Sequence, residues 1–106
     1  MLVVTSETIA SHRIVRTLGL VRGNTIRARH VGKDILAGLR NIVGGEIHEY
    51  TKLMAESREQ TVDRMIAEAE SLGANAIIAT RFTTSVIVGG AAELLAVGTA
   101  VMIEPE

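Results

Sequence analysis

The sequence contains no cysteine, no tryptophan and only two aromatic residues, Tyr50 and Phe82, among its 106 residues. The absence of cysteine excludes disulfide frameworks, cysteine-ligated zinc sites and thiol catalysis. The shortage of aromatics leaves almost nothing on which nucleic-acid bases could stack, so we expect no nucleic-acid partner. Because apolar residues still make up 47% of the chain, the core must be aliphatic.

Charge is distributed unevenly along a chain whose net charge is only −1. Residues 1–45 carry seven Lys or Arg and two acids, whereas residues 46–106 carry four Lys or Arg and ten acids. A basic half beside an acidic half is typical of halves or subunits that pair with each other. The length predicts a single domain over residues 1–106.

Membrane association is not expected from the hydrophobic pattern. Residues 1–11 lack the positively charged start of a signal peptide. The apolar stretch from Val86 to Ile103 contains Glu93, the Gly89-Gly90 pair and many β-branched residues, which favour strands over a transmembrane helix. We therefore expect a cytoplasmic protein.

The first half of the chain predicts two strands and a short helix. Residues 2–5 and 14–28 are strand-like, and the second strand is expected to be irregular near Gly19 or Gly23. Asp34 is a plausible N-cap, and Gly44-Gly45 ends a run of apolar residues at helical spacing. That run consists of Ile35, Leu36, Leu39, Ile42 and Val43.

The strongest pattern predicts one long helix over residues 46–72, with Gly73 as its C′ residue. One face carries apolar or small residues at steps of three or four, and the remaining positions are mostly charged. Among the charged residues, Lys52/Glu56 and Arg64/Glu68 are candidate ion pairs along the helix. The predicted inward face consists of Ile47, Tyr50, Met54, Ser57, Thr61, Met65, Ala69 and Leu72.

The last third predicts two strands joined at Gly89-Gly90. In the first, over residues 76–88, Ile78, Phe82, Val86 and Val88 are expected to share one face. The second, over residues 92–103, is apolar on both faces, and an antiparallel strand in a small monomer usually has one wet face. We expect the long helix to cover one face and another subunit to cover the other.

Candidate ligand-binding residues cluster before and at the start of the long helix. His48, with Glu46 and Glu49 beside it, is a possible set of metal ligands, although Lys52 repels a cation and a solvated histidine is the more ordinary explanation. The backbone N–H groups at Gly44 and Gly45 are a possible anion site, although a corner between two helices also requires glycine. No nucleophile, base and orienting acid stand in a recognisable pattern, which favours a non-enzymatic role.

Several sequence motifs together resemble the YbjQ family, also called UPF0145 or DUF74. They are the runs Gly38–Gly45, Leu72–Ala76 and Gly98–Val101, together with Tyr50. The resemblance implies a dodecin-subunit-like α+β fold, a homopentameric ring and a family label of "putative heavy-metal-binding". It also directs attention to Arg40, within the first motif, as the charged ligand-binding candidate. Glu46 departs from the family, which usually has arginine there.

These observations give one set of expectations. The fold is an α+β domain in which an antiparallel sheet is crossed by one long helix, preceded by a short helix, and the chain forms a homopentamer. The function is a non-enzymatic, ring-forming binding protein for a divalent metal ion or a small anion. The alternatives are a small enzyme with its site at a subunit interface, involving Glu93 or His48, and a purely structural scaffold.

Overall fold

The computed structural model describes residues 1–27, 48–87 and 91–106. These segments form four strands and one helix. In chain order they are β1 (Leu2–Val3), β2 (His12–Arg27), α1 (His48–Ser71), β3 (Ala76–Ile87) and β4 (Ala91–Pro105). The predicted short helix at residues 34–43 lies outside the described residues. The α+β class is confirmed. Within the apolar stretch from Val86 to Ile103, the part from Ala91 onward lies in strand β4, as expected, and the predicted turn at Gly89-Gly90 lies outside the described residues.

The strands make one mixed sheet in the order β1-β3-β4-β2. β4 is antiparallel to both of its neighbours, but Leu2 and Val3 pair in parallel with Ala76 and Ile77. The prediction of a purely antiparallel sheet was therefore wrong. A two-residue strand carries no pattern that indicates its direction, and β1 joins β3 from a distant part of the chain rather than through a hairpin.

Three register shifts interrupt the sheet, and only the one at Gly19 was predicted. Two lie in β2, between Ile14 and Arg16 and between Thr17 and Gly19, where Gly19 has a φ of 124°. The third lies between Ile78 and Arg81 in β3, where Ala79 has a φ of 53°. Because an inserted residue reverses the alternation of faces, Ile78 does not share a face with Phe82, contrary to the prediction.

Helix α1 covers one face of the sheet, here called the helix face. Its buried residues recur at every fourth position, which confirms the central part of the predicted inward face: Ser57, Thr61, Met65 and Ala69. Met65 and Ala69 form a core cluster with sheet residues Val21, Ile77, Ala96 and Ala100. The small residues of β4 thus allow the helix to approach closely. Leu72, predicted to be inward, is 44% exposed because it follows the last helical residue.

The end of α1 follows the predicted capping pattern. Gly73 adopts a φ of 83°, a left-handed conformation that suits glycine at C′. The amide of Gly73 donates to the carbonyl of Glu70 at 3.0 Å, and the amide of Ala74 donates to that of Ala69 at 3.1 Å. These bonds satisfy the last helical carbonyls and turn the chain into β3.

The opposite face, here called the open face, is only partly covered. At one end Val4 and Ile9 pack against Ala76, Ile78 and Val101 in a second core cluster. The N-terminal segment thus covers part of the face that was expected to meet another subunit. Among the described residues, no helix lies over the remainder of the open face. The described helix α1 is also not apolar enough over its length to cross a membrane.

Candidate functional site

The ligand-binding residues predicted from the sequence lie largely outside the described residues. Arg40, Gly44, Gly45 and Glu46 belong to the undescribed segment between β2 and α1. His48 and Glu49 are the first two residues of α1, and the structure describes their backbone only. Ion binding at these six positions therefore stays a prediction.

The described segments do not form a metal centre of their own. Among the side chains that the structure describes, those of residues 1–27, 52–86 and 91–106, there is no group of three or more His, Asp or Glu that could hold a metal ion. Glu93 instead accepts a hydrogen bond of 3.2 Å from Asn24 across the open face. His12, the first residue of β2, hydrogen-bonds the carbonyl of Ala10 at 2.9 Å in the preceding turn.

Arg27 at the end of β2 is anchored to the helix by neutral groups. Its Nε donates to Ser57 Oγ at 2.8 Å, and one terminal nitrogen donates to Gln60 Oε1 at 2.7 Å. Beside it lies a cavity of about 10 Å³, lined also by Met54, Thr84 and Leu94. That volume is close to the space of one water molecule, so this cavity by itself is too small for an organic ligand.

The outer edge of β2 is partly occupied by side chains of α1. Glu68 accepts a hydrogen bond of 3.3 Å from the amide of Arg22, and Arg64 donates one of 2.5 Å to the carbonyl of Asn24. The sequence predicted an Arg64/Glu68 ion pair, but the two side chains bind β2 instead, and Arg13–Glu104 is the ion pair among the described residues. These bonds satisfy backbone groups that would otherwise be open to another strand.

Exposed apolar side chains are concentrated on the two long flanking strands. Of the nine exposed large hydrophobic residues in the described segments, four lie on β2 and two on β3, whereas β4, between them, has none. The six are Ile14, Val15, Leu20, Ile26, Phe82 and Val86. The sequence pattern does not indicate that these six side chains are exposed, because their exposure depends on which strands lie at the outside of the sheet.

Four of these six residues form two pairs that lie on opposite faces of the sheet. Phe82 and Val86 pair with Ala96 and Ala92, which places them on the helix face, beside α1 but not beneath it. Leu20 and Ile26 pair with Thr99 and Glu93, which places them on the open face. We call the first pair the β3 patch and the second pair the β2 patch. Exposed fractions are 47% and 86% in the β3 patch, and 66% and 57% in the β2 patch.

Comparison with known families decides the classification. A family model described as "Putative heavy-metal-binding" and named YbjQ_1 matches residues 1–104. The chain belongs to the YbjQ (UPF0145) family. The resemblance read from the sequence motifs is thus confirmed.

Relatives in this family match nearly the whole chain. A UPF0145 protein of Dehalococcoides mccartyi is 57% identical over 104 residues, covering 98% of this chain and 100% of its own. One from Methanosarcina acetivorans is 52% identical over 103 residues, covering 97% of each. One from Thermococcus kodakarensis is 51% identical over 106 residues, covering 100% of this chain and 94% of its own.

A solved structure shares the fold of this YbjQ-family chain. The crystal structure of a DUF74-family protein of unknown function from Pediococcus pentosaceus superposes with a TM-score of 0.66 and covers 98% of both chains. At 15% sequence identity, this similarity concerns the fold alone. It supports the α+β arrangement of one long helix on a four-stranded sheet.

Proposed function

We propose that this protein is a non-enzymatic binding protein that forms a homopentameric ring of dodecin-like subunits and holds a small ion. The observation that carries the assembly is the position of the exposed apolar side chains. A soluble monomer rarely exposes large aliphatic groups together, whereas oligomer interfaces bury them. Here they lie on the two flanking strands, where neighbouring copies have access to them.

The shape of the chain supports the same proposal. The Cα radius of gyration is 17.2 Å, whereas a compact domain of this length has one of about 13 Å. The body measures 54 × 29 × 16 Å along its principal axes. A thin, elongated subunit buries less of its own apolar surface than a compact one, and contact with other copies compensates for this.

The ion is proposed to bind where β2 leads into α1. The description of the family model as heavy-metal-binding favours a metal ion, and His48, Glu46 and Glu49 are the nitrogen and oxygen ligands available there. A small anion is the alternative ion, with Arg40 and the amides of Gly44 and Gly45 as its ligands. In either case a ring would place equivalent sites around one axis.

Native mass spectrometry of protein purified without chelator or a metal-affinity tag tests assembly and ion binding together. We expect a mass of five chains with an added mass that a chelator removes. His48→Ala should abolish the added mass and leave the ring intact, whereas His12→Ala, at a histidine outside the proposed site, should change neither. An added mass that survives chelation but is lost in Arg40→Ala would assign the ion as an anion.

Two outcomes would contradict the proposal. Five chains without any bound ion would leave the ring but remove ion binding. A monomer at all accessible concentrations would overturn the assembly and leave the exposed apolar residues without an explanation.

A further inference from the structure

The two apolar patches are placed so that one copy can cover the other. The β3 patch lies at one edge of the sheet on the helix face, and the β2 patch lies at the other edge on the open face. If two sheets overlap at their edges, the open face of one meets the helix face of the other. The β2 patch of one copy then lies on the β3 patch of the next.

The two patches overlap in part along the strands: Leu20 pairs with Thr99 and Phe82 with Ala96, three residues apart, whereas their other members lie closer in level. Ile26 and Ser85 both pair with Glu93, while Arg27 and Val86 both pair with Ala92, so Ile26 and Val86 differ by one residue in level. Both patches continue onto the central strand. Leu95 and Val97 lie on the open face beside the β2 patch, and Ala92 and Leu94 lie on the helix face beside the β3 patch. An overlap of this kind would bury apolar side chains from two strands of each copy, with Arg22 and Asn24 between Leu20 and Ile26 on the open face.

The hydrogen bonds at the β2 edge favour an overlap of faces over direct pairing of strands. Strand pairing at Arg22 and Asn24 would require Glu68 and Arg64 to release the backbone groups that they bind. Each release removes a charge-assisted hydrogen bond. In an overlap both bonds remain, because the contact is made by side chains above the sheet rather than by backbone groups at its edge.

We propose that a second copy of this chain covers the β3 patch with its β2 patch. The contact joins two different surfaces, so each copy keeps its other patch free to engage a further copy. Head-to-tail contacts of this type close into rings when the rotation between copies allows it. This inference rests on the proposed assembly and assigns its interface.

The natural absence of cysteine makes cross-linking a direct test. Two single variants are prepared, Ile26→Cys untagged and Val86→Cys with a mass tag, and the two are co-expressed and treated with a short bismaleimide. We expect a covalent dimer that contains one chain of each kind, and no dimer from either variant alone. Leu72→Cys is the matched control, since Leu72 is also exposed but lies in neither patch. It should cross-link to neither partner.

The failure of this inference can be separated from the failure of the assembly. Cross-links between two Ile26→Cys chains or two Val86→Cys chains would indicate a two-fold contact and overturn the overlap. Assembled protein without mixed cross-links would overturn it as well. A monomer in native mass spectrometry, by contrast, would overturn the proposed function itself.

A second set of variants measures the contact without cross-linking. Leu20→Ser and Phe82→Ser should each weaken association at least about tenfold, because each removes a large apolar side chain from the interface. Leu72→Ser should leave association unchanged. Circular dichroism of each variant establishes that it is folded, and unchanged association of both folded patch variants would contradict the proposal.

Discussion

At the scale of single residues, two glycines allow backbone segments to approach each other. Gly23 of β2 lies under α1, where an added Cβ would overlap the carbonyl oxygen of Thr61 and lie 2.5 Å from the amide nitrogen of Met65. Gly98 of β4 is also tight, but its nearest neighbour would be a methyl carbon of Ile77 at 2.5 Å. Backbone atoms cannot move without shifting a whole element, whereas a methyl group can rotate away.

Replacing these glycines with alanine should therefore destabilise the protein by different amounts. Gly23→Ala is expected to lower the free energy of unfolding by about 3 kcal/mol, and Gly98→Ala by about 1 kcal/mol. Urea denaturation at a fixed protein concentration measures both. Equal losses, or a larger loss for Gly98→Ala, would show that the helix adjusts its distance from the sheet more easily than the side chain of Ile77 rotates.

At the scale of elements, α1 protects the edge of β2 as well as covering its face. Arg64 and Glu68 are one turn apart and bind the carbonyl of Asn24 and the amide of Arg22. Exposed strand edges are templates for unwanted pairing, and charged side chains are a common means of blocking them. The pair therefore protects the one long strand that has a partner on only one side among the described residues.

Removing this protection should promote aggregation more than unfolding. We expect Arg64→Ala combined with Glu68→Ala to increase light scattering and thioflavin T fluorescence on prolonged incubation, while the melting temperature changes little. The control combines Arg58→Ala with Glu59→Ala, which alters the same helix and leaves the net charge equally unchanged. If both double variants aggregate at the same rate, the two hydrogen bonds do not protect the edge.

The sequence predicted those elements whose patterns are local. Ser57, Thr61, Met65 and Ala69 recur at every fourth position, so the inward face of α1 follows from spacing alone. The irregularity at Ala79 cannot be predicted from spacing, because it is stabilised by a distant segment of the chain. The amide of Ala79 donates to Ser6 at 2.8 Å, and that of Thr80 donates to Val4 at 3.1 Å. No glycine marks that bulge, and the face of Ile78 was consequently predicted wrongly.

The candidate site was predictable to a smaller extent. The residues proposed for ion binding, from Arg40 to Glu49, were suggested by residue type and by family resemblance rather than by a spacing specific to one ligand. The apolar patches were not predicted. No sequence pattern distinguishes Leu20 and Ile26 from the apolar residues of any half-buried strand, and only the strand order places them at an outer edge without cover.

At the scale of the whole molecule, stability and assembly should be coupled. The chain is extended, with a radius of gyration of 17.2 Å, and its exposed aliphatic side chains lie on the flanking strands. A folded subunit that binds other folded subunits is stabilised by mass action, whereas its unfolded form gains nothing. If the subunits assemble as proposed, the melting temperature therefore depends on the protein concentration.

We expect the melting temperature to rise by about 5–10 °C across a roughly hundredfold increase in protein concentration. Differential scanning fluorimetry over a dilution series measures this. Leu20→Ser should flatten the dependence, because it weakens association, and Leu72→Ser should preserve it. A melting temperature independent of concentration in the unmodified protein would indicate that its subunits fold and melt alone.

The parallel pairing of Leu2 and Val3 with Ala76 and Ile77 has a consequence for synthesis on the ribosome. β1 is translated before its partner strand β3, so it cannot pair until β3 has also been translated. Contacts between such distant segments slow folding. Until then Leu2, Val3 and Val4 form a short apolar segment that is accessible to chaperones, and the docking of this segment along β3 is expected to be among the last steps of folding.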